Sequence, residues 1–278
     1  MPTYFSEQRG LRKGYGIVEL RILVRDLYND LLEREHLKEW LGYECIDAGR
    51  VAGIGGADPG HDVVLEVGRS DIWPPDPVAG SWPEDAIFDF LQFIGEKVSS
   101  AIPDTGWYHN YDGCGRHDEH FTPEPARGRY VERVNKILSR YGDGWEMLPG
   151  FEIVERAPAG MNGLLTIRLP ADVSADTRRR VQSAADKFRR RSSSRDDRRD
   201  AVRDLGDVFE SLRKQASGHL SRADESDLFQ ILNKFDIRHN NETQKKDYDP
   251  IWLAGIFYHF LAMIHVLTHL IDRDMTSG

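Results

Sequence analysis

The sequence predicts a mainly helical protein, with an N-terminal α+β module that holds a small β element and a C-terminal bundle of four to five helices. Two observations predict this fold class. Apolar residues recur at intervals of three and four along most of the chain, as in amphipathic helices. Beyond Pro170, nearly every segment as far as Arg273 keeps this spacing, with only short breaks. We therefore expect two domains, 1–170 and 171–278.

The N-terminal module contains helical and strand-like segments. Leucine, isoleucine and valine recur at helical spacing from Val18 to Leu32, and Pro83 precedes a second apolar-periodic stretch, as expected at a helix start. After this first helix, the predicted helices are 84–99 and 129–141. The predicted strands are 63–67, 145–148, 151–154 and 164–169. The Pro149-Gly150 turn is predicted to join strands 145–148 and 151–154 in a hairpin.

The C-terminal domain reads as helices joined by short connectors. The predicted helices are 175–191, 195–215, 224–235 and 250–273. Helices joined by connectors this short are antiparallel neighbours.

Composition places limits on the type of protein. The chain has 278 residues, 40% hydrophobic, which is enough to form a core. Its two cysteines provide no disulfide framework, and no secretory signal begins the sequence, so we expect a cytoplasmic protein. The segment Ile251–Ile271 lacks charged residues and approaches the length of a membrane span. We interpret it as the buried central helix of a bundle, with a single membrane anchor as the alternative.

Charge is distributed unevenly along the chain. The formal net charge is -9, yet Thr177–Arg203 carries eleven Lys or Arg against four Asp, a local balance of +7. Such a basic stretch can bind phosphates without reading sequence. The candidate RNA-binding residues here are Arg178, Arg179, Arg189 and Arg190. The alternative is a solvated helix face that is interspersed with Asp186, Asp196, Asp197 and Asp200.

A polar segment between two predicted helices carries the strongest candidate for chemistry. Arg238 can stabilise charge on a scissile phosphate, while the adjacent His239 can give or accept a proton near neutral pH. Glu242 would orient His239, and the candidate RNA contacts are Asn240, Asn241 and Gln244. The alternative is a connecting loop in which Arg238 pairs with an acidic neighbour and the asparagines cap the next helix.

A loop in the N-terminal module holds four potential zinc ligands within twelve residues: His109, Cys114, His117 and His120. Their spacing matches no well-specified zinc motif. The favoured interpretation is therefore a polar loop with Cys114 in the core and the histidines hydrogen-bonded to backbone. On that interpretation we expect no metal and no cofactor, with a site formed by these four residues as the alternative.

Several segments together resemble the AbiJ-type abortive-infection proteins of bacteria, in which an N-terminal module precedes a HEPN-like helical bundle. The segments that carry the resemblance are Phe5–Gly10, Tyr111–His117, Val134–Leu138, Tyr141–Trp145 and Ile237–Gln244 with Asp247–Asp249. The resemblance implies that domain 1–170 senses or gates and that domain 171–278 is the HEPN-like bundle. It also implies a role in phage defence.

HEPN bundles are commonly metal-independent endoribonucleases that act as dimers, with a histidine four to six residues after the site arginine. This chain has no histidine between His239 and His259, so His239 must supply the imidazole if the site cleaves RNA. The resemblance thus implies an RNA-cleaving defence effector that forms a homodimer, with RNA and an antitoxin or phage-derived trigger as partners. The alternative is a catalytically inactive defence or toxin–antitoxin protein whose bundle binds RNA or a protein.

Overall fold

The computed structural model describes residues 14–75, 79–142, 144–158, 160–165, 169–171, 173–213 and 249–277. The protein is mainly helical with a few small β hairpins, as the sequence predicts. Its contacts divide the chain into two compact units, unit 1 (Met1–Val154) and unit 2 (Glu155–Gly278). This division lies earlier in the chain than the boundary expected near residue 170.

Unit 1 combines helices with four two-stranded sheets. Its helices are α1 (Ile17–Glu33), α2 (Lys38–Leu41), α3 (Gly60–Val67), α4 (Glu84–Lys97) and α5 (Ala126–Leu138). Its strands are β1 (Tyr43–Cys45), β2 (Gly49–Val51), β3 (Ser100–Ala101), β4 (Trp107–His109), β5 (Gly115–His117), β6 (Phe121–Thr122), β7 (Trp145–Met147) and β8 (Ile153–Glu155). The pairs are β1–β2, β3–β6, β4–β5 and β7–β8, and the first three are antiparallel. The predicted hairpin around Pro149-Gly150 is therefore confirmed.

The core of unit 1 is rich in aromatic side chains. Helix α4 runs through its centre and buries its apolar face against α1, α3 and α5. The fully buried Trp40 makes edge contacts with Trp73 and Phe93, with ring centroids 5.0 and 5.2 Å apart. The hydroxyl of buried Tyr130 donates a hydrogen bond to the Leu91 carbonyl at 2.6 Å. These contacts fix the helices that support the hairpins.

The segment 63–67, predicted as a strand, is the second half of α3. Its valines suit a strand by propensity, but Pro59 begins a helix here and Gly68 ends it in the left-handed conformation at φ 76°. Only Val63 is buried in the core, whereas Leu65 is 83% exposed. Val63 therefore lies on the face of the helix that contacts the core, and Leu65 lies on the face that is turned to solvent.

In the described part of unit 2, the helices are α6 (Asn162–Leu165), α7 (Ala175–Arg189), α8 (Arg195–Arg213) and α9 (Pro250–Ser277). Helix α8 packs against both α7 and α9, and Phe188 of α7 stacks on Phe257 of α9 with centroids 4.0 Å apart. The segment 162–165 is helical, so the strand predicted from Leu164 is wrong at its start. The predicted helix 224–235 lies outside the described residues.

Among the described helices, one segment, Ile251–Arg273, is long and apolar enough to cross a membrane by length and composition. Half of its most apolar window is buried inside the protein, where Phe257, Phe260 and Leu267 are fully covered. This burial is the pattern expected of a central helix in a soluble bundle.

Candidate metal centre

Two hairpins of unit 1 bring four potential metal ligands together. Cys45 ends β1, just before the turn to β2. His109 ends β4, Cys114 lies in the turn that follows, and His117 ends β5. One ligand atom from each of these side chains lies within 4.8 Å of all the others. Both cysteines are free thiols.

The spacing of these atoms suits a tetrahedral ion. The Cys45 Sγ lies 3.7 Å from His109 Nδ1, and the Cys114 Sγ lies 3.4 Å from His117 Nε2. A tetrahedral zinc with Zn–S bonds of ~2.3 Å and Zn–N bonds of ~2.0 Å places neighbouring ligand atoms roughly 3.3–3.8 Å apart. The two measured distances fall in that range without movement of the backbone.

Backbone amides surround both sulfur atoms. The N–H of Ala48 is the main cause that lowers the pKa of the Cys45 thiol; the N–H of Asp47 and the side chains of His109 and Cys114 add to it, while burial opposes it. The Cys114 sulfur accepts a hydrogen bond from the Ile46 N–H at 3.5 Å. A thiolate is the form that binds a metal, so the donors around Cys45 prepare its sulfur as a ligand.

The His109 ring is oriented by a carboxylate. Its Nδ1 faces Cys45, while its Nε2 lies 3.1 Å from the Asp47 carboxylate. Metal-bound histidines usually donate their second ring N–H to a carboxylate or carbonyl, which fixes the tautomer and makes the ring a stronger ligand. Asp47 occupies that position here.

The His117 ring is held by packing. It lies against the rings of Tyr43 and Trp107, with centroids 4.6 and 4.5 Å away. The residue is buried, and its Nδ1 has no hydrogen-bond partner among the described residues. A metal at Nε2 would fix the ring proton on Nδ1, so the metal bond would have to offset the free-energy cost of burying that donor.

A buried ion pair anchors the strand that carries His117. Lys38 Nζ donates to the Asp118 carboxylate at 3.1 Å, to the Arg116 carbonyl at 3.0 Å and to Glu35 at 3.0 Å. Burial raises the pKa of Asp118, but hydrogen bonds from Arg116 and Lys38 outweigh it and keep that pKa below its usual value. Helix α2 and the end of β5 are thereby joined beside the ligand cluster.

The ligand set indicates the type of metal and its role. Two sulfurs and two imidazole nitrogens in tetrahedral array are characteristic of zinc. Four protein ligands complete the coordination shell, as in structural zinc sites, whereas catalytic zinc keeps one position for water or substrate. The arrangement can therefore hold the two hairpins together.

The sequence placed three of these four ligands in one cluster. His109, Cys114 and His117 do converge, but the fourth residue of that set, His120, is exposed and lies outside the group. Cys45 takes its place from 64 residues before His109. Sequence reasoning missed Cys45; the one signal that could have found it is that Cys45 is the only other cysteine in the chain.

The arginines predicted to bind RNA lie on or next to α7. Arg178 donates to the carbonyls of Pro170 and Ala171, each at 2.7 Å, and Arg179 pairs with Asp176. Arg189 donates to the Glu155 carbonyl at 3.0 Å, and Arg190, which caps the helix, also has a partner. These contacts favour the solvated-face interpretation, and RNA binding at these residues stays a prediction.

The other predicted site falls on Arg238, His239, Asn240, Asn241, Glu242 and Gln244. All six lie outside the described residues. Their predicted roles in catalysis and RNA contact therefore rest on the sequence.

No protein-family model, curated protein or solved structure matches this chain.

Proposed function

We propose that unit 1 is a zinc-binding module in which Cys45, His109, Cys114 and His117 hold one structural Zn²⁺. The observation that carries the proposal is the convergence of two thiols and two imidazoles from two hairpins, with every ligand atom within 4.8 Å of the others. The backbone amides around the sulfurs and the carboxylate of Asp47 support it.

The metal would join parts of unit 1 that are far apart in sequence. Strand β1 follows α2, whereas β4 and β5 lie between α4 and α5. Because the unfolded chain has no assembled site, the free energy of zinc binding adds to the stability of the folded unit. The function of the site is thus to fix the β1–β2 and β4–β5 hairpins in one arrangement.

Metal content of the purified full chain tests this proposal. The wild type should carry about one zinc per chain, and Cys45→Ser should lose most of it, since a hydroxyl is a poor zinc ligand. His120→Ala is the matched control, because His120 belongs to the same loop but lies outside the cluster, and it should keep its zinc. Zinc retained by Cys45→Ser, or lost equally by His120→Ala, would refute the assigned ligand set.

We also propose a cellular role, which rests on the sequence. On this proposal the domain 171–278 forms a HEPN-like bundle in which Arg238 and His239 cleave RNA and Glu242 orients His239. The protein would then be a cytoplasmic phage-defence effector that acts as a homodimer. What supports it is the Arg238-His239 pair in the polar segment that precedes helix α9, together with the resemblance to AbiJ-type proteins.

Induced expression in a bacterial host distinguishes this enzyme from a binding protein. Growth arrest by the wild type and not by Arg238→Ala favours a nuclease, whereas equal behaviour of the two favours the inactive alternative. In vitro, His239→Ala should abolish cleavage in magnesium-free buffer, because the imidazole supplies the proton transfer. Zinc should be left in place, so that a loss of activity cannot be attributed to unit 1.

A further inference from the structure

The hairpin β4–β5 presents an unusual set of exposed side chains around the proposed zinc site. Trp107 is 50% exposed and Tyr111 is 63% exposed. Both rings contact His109, with centroids 5.2 and 6.3 Å from it, and the 66% exposed carboxylate of Asp47 meets the same ring at 3.1 Å. Two aromatic rings and a carboxylate therefore surround one ligand on the protein surface.

The strand register places Trp107 on the metal face of the hairpin. Trp107 pairs with His117 across the sheet, and His109 lies two residues along the same strand, so these three side chains share one face. Tyr108 pairs with Arg116 and points to the opposite face. The aromatic surface and the basic side chain of this hairpin thus lie on different sides.

Charge decides what such a surface can bind. Between residues 104 and 120, Arg116 is the only Lys or Arg, and its guanidinium is tied to Asp118 at 2.7 Å. Asp47 supplies negative charge on the metal face, and the exposed Asp112 directly follows Tyr111 in the turn. A phosphate backbone would meet no cation from this hairpin there, whereas a cationic group would meet carboxylates and aromatic rings.

We propose that this surface, formed by Trp107, Tyr111, Asp47 and Asp112, binds an arginine or lysine side chain from a basic segment of a partner protein. A guanidinium or ammonium over an exposed tryptophan face is attracted by the ring quadrupole. Trp and Tyr are also among the residue types that dominate binding energy at protein interfaces. The inference rests on the proposed zinc site, which holds the turn of Asp47 against His109.

The test is a nuclear magnetic resonance titration of the zinc-loaded full chain with the peptide acetyl-Gly-Arg-Gly-Arg-Gly-amide. We expect saturable shifts of the Trp107 indole N–H and of the Tyr111 amide. Trp107→Ala and Tyr111→Ala should each weaken binding at least about three-fold, in line with the loss of one cation–π contact. Tyr108→Ala, on the opposite face, is the control and should leave affinity unchanged.

Zinc content measured on the same samples separates the two proposals. No shift up to about 10 mM peptide in a chain that carries zinc would overturn the surface assignment and leave the zinc site standing. Shifts spread evenly over acidic surfaces, or unaffected by Trp107→Ala, would also overturn it. Binding of oligouridylate at Trp107 in place of the peptide would assign the face to RNA. Undiminished binding through Trp107 by a chain that carries no zinc would overturn the dependence of this surface on the zinc site.

Discussion

The carboxylate of Asp47 lies on the outer nitrogen of His109 and so controls how strongly that ring can bind a metal. We predict that Asp47→Asn lowers zinc affinity about 10-fold or more, because an amide is a weaker acceptor for the ring N–H and leaves the imidazole less basic. Competition with a chromophoric zinc chelator measures the affinity.

The matched control for this change is Asp104→Asn, on an exposed residue before the same hairpin. It alters charge by the same amount and should leave affinity within a factor of about two. An equal loss in both variants would mean that Asp47 acts through long-range charge and not through the hydrogen bond to His109.

The Lys38–Asp118 pair has a structural role of its own. Both side chains are almost fully buried, 5% and 3% exposed. Lys38 Nζ donates hydrogen bonds to Glu35, to Asp118 and to the Arg116 carbonyl. We predict that Lys38→Met destabilises unit 1 by about 3 kcal/mol, because the buried Asp118 carboxylate loses its buried cation and keeps only the half-exposed Arg116. Urea unfolding with the intrinsic tryptophans as probe gives the free energy of unfolding.

A double variant checks the cause. Lys38→Met with Asp118→Leu removes both charges. We expect this double variant to recover more than half of the lost free energy of unfolding, since the cost arises from burying the Asp118 carboxylate without its lysine. If the two substitutions lower the free energy of unfolding additively, Lys38 and Asp118 do not interact as the geometry indicates.

At the same scale, the sequence could reveal only part of the metal site. His109, Cys114 and His117 are neighbours in sequence, so spacing suggested them. Cys45 is brought to them by the packing of α2 and α4, and no local pattern records that. His120 was included because it is near in sequence, yet the chain pairs Ile102 with its carbonyl and leaves its side chain at the surface.

At the scale of elements, helical periodicity was a reliable guide where an apolar face is buried. The helices expected at 84–99 and 175–191 appear as α4 and α7. Each ends two residues early, because the backbone becomes extended at Val98 and at Arg190. Helix α3 was missed since eight residues offer barely two turns of pattern and its valines favour strands. Tertiary contacts at Val63 decided its conformation.

The β4–β5 hairpin depends on a glycine that admits no side chain. A Cβ on Gly106 would lie 2.0 Å from the His117 carbonyl oxygen and 2.8 Å from the Asp118 Cα. We predict that Gly106→Ala separates the strands, lowers the free energy of unfolding by about 2 kcal/mol and weakens zinc binding. Thermal unfolding and zinc competition measure the two effects.

The control for this change is Gly80→Ala, at a position where a Cβ would meet nothing within 4 Å. It should leave both quantities unchanged. If Gly106→Ala changes neither the free energy of unfolding nor zinc binding, the two strands can move apart at this point far enough to admit the methyl group.

At the scale of the whole molecule, the two units have separate cores. Leu20, Phe90 and Tyr130 belong to the core of unit 1, whereas Phe188, Phe209 and Phe257 belong to that of unit 2. All four proposed zinc ligands lie in unit 1. The metal should therefore stabilise one unit and not the other.

We predict that calorimetry resolves two unfolding transitions and that chelation of zinc lowers the midpoint of only one. The shift should be several degrees or more, because structural zinc contributes directly to folding free energy. Cys45→Ser should reproduce the chelated profile in the absence of chelator. A uniform shift of the whole profile would contradict a metal site confined to unit 1.

The self-association expected of the effector is a further property of the whole molecule. Light scattering of the full chain should give close to twice the chain mass of 31.8 kDa if the homodimer forms. A monomer at micromolar concentration would count against the proposed nuclease, since a single Arg238–His239 pair is too few groups for acid, base and charge stabilisation. It would leave the zinc site unaffected.

X-ray absorption at the zinc edge, on full-length protein purified without added metal, tests the central claim most directly. The account predicts a four-coordinate zinc with two sulfurs at about 2.3 Å and two imidazole nitrogens at about 2.0 Å. Cys45→Ser should retain at most one sulfur. A protein that carries no zinc, or a zinc shell made only of nitrogen and oxygen, would contradict it.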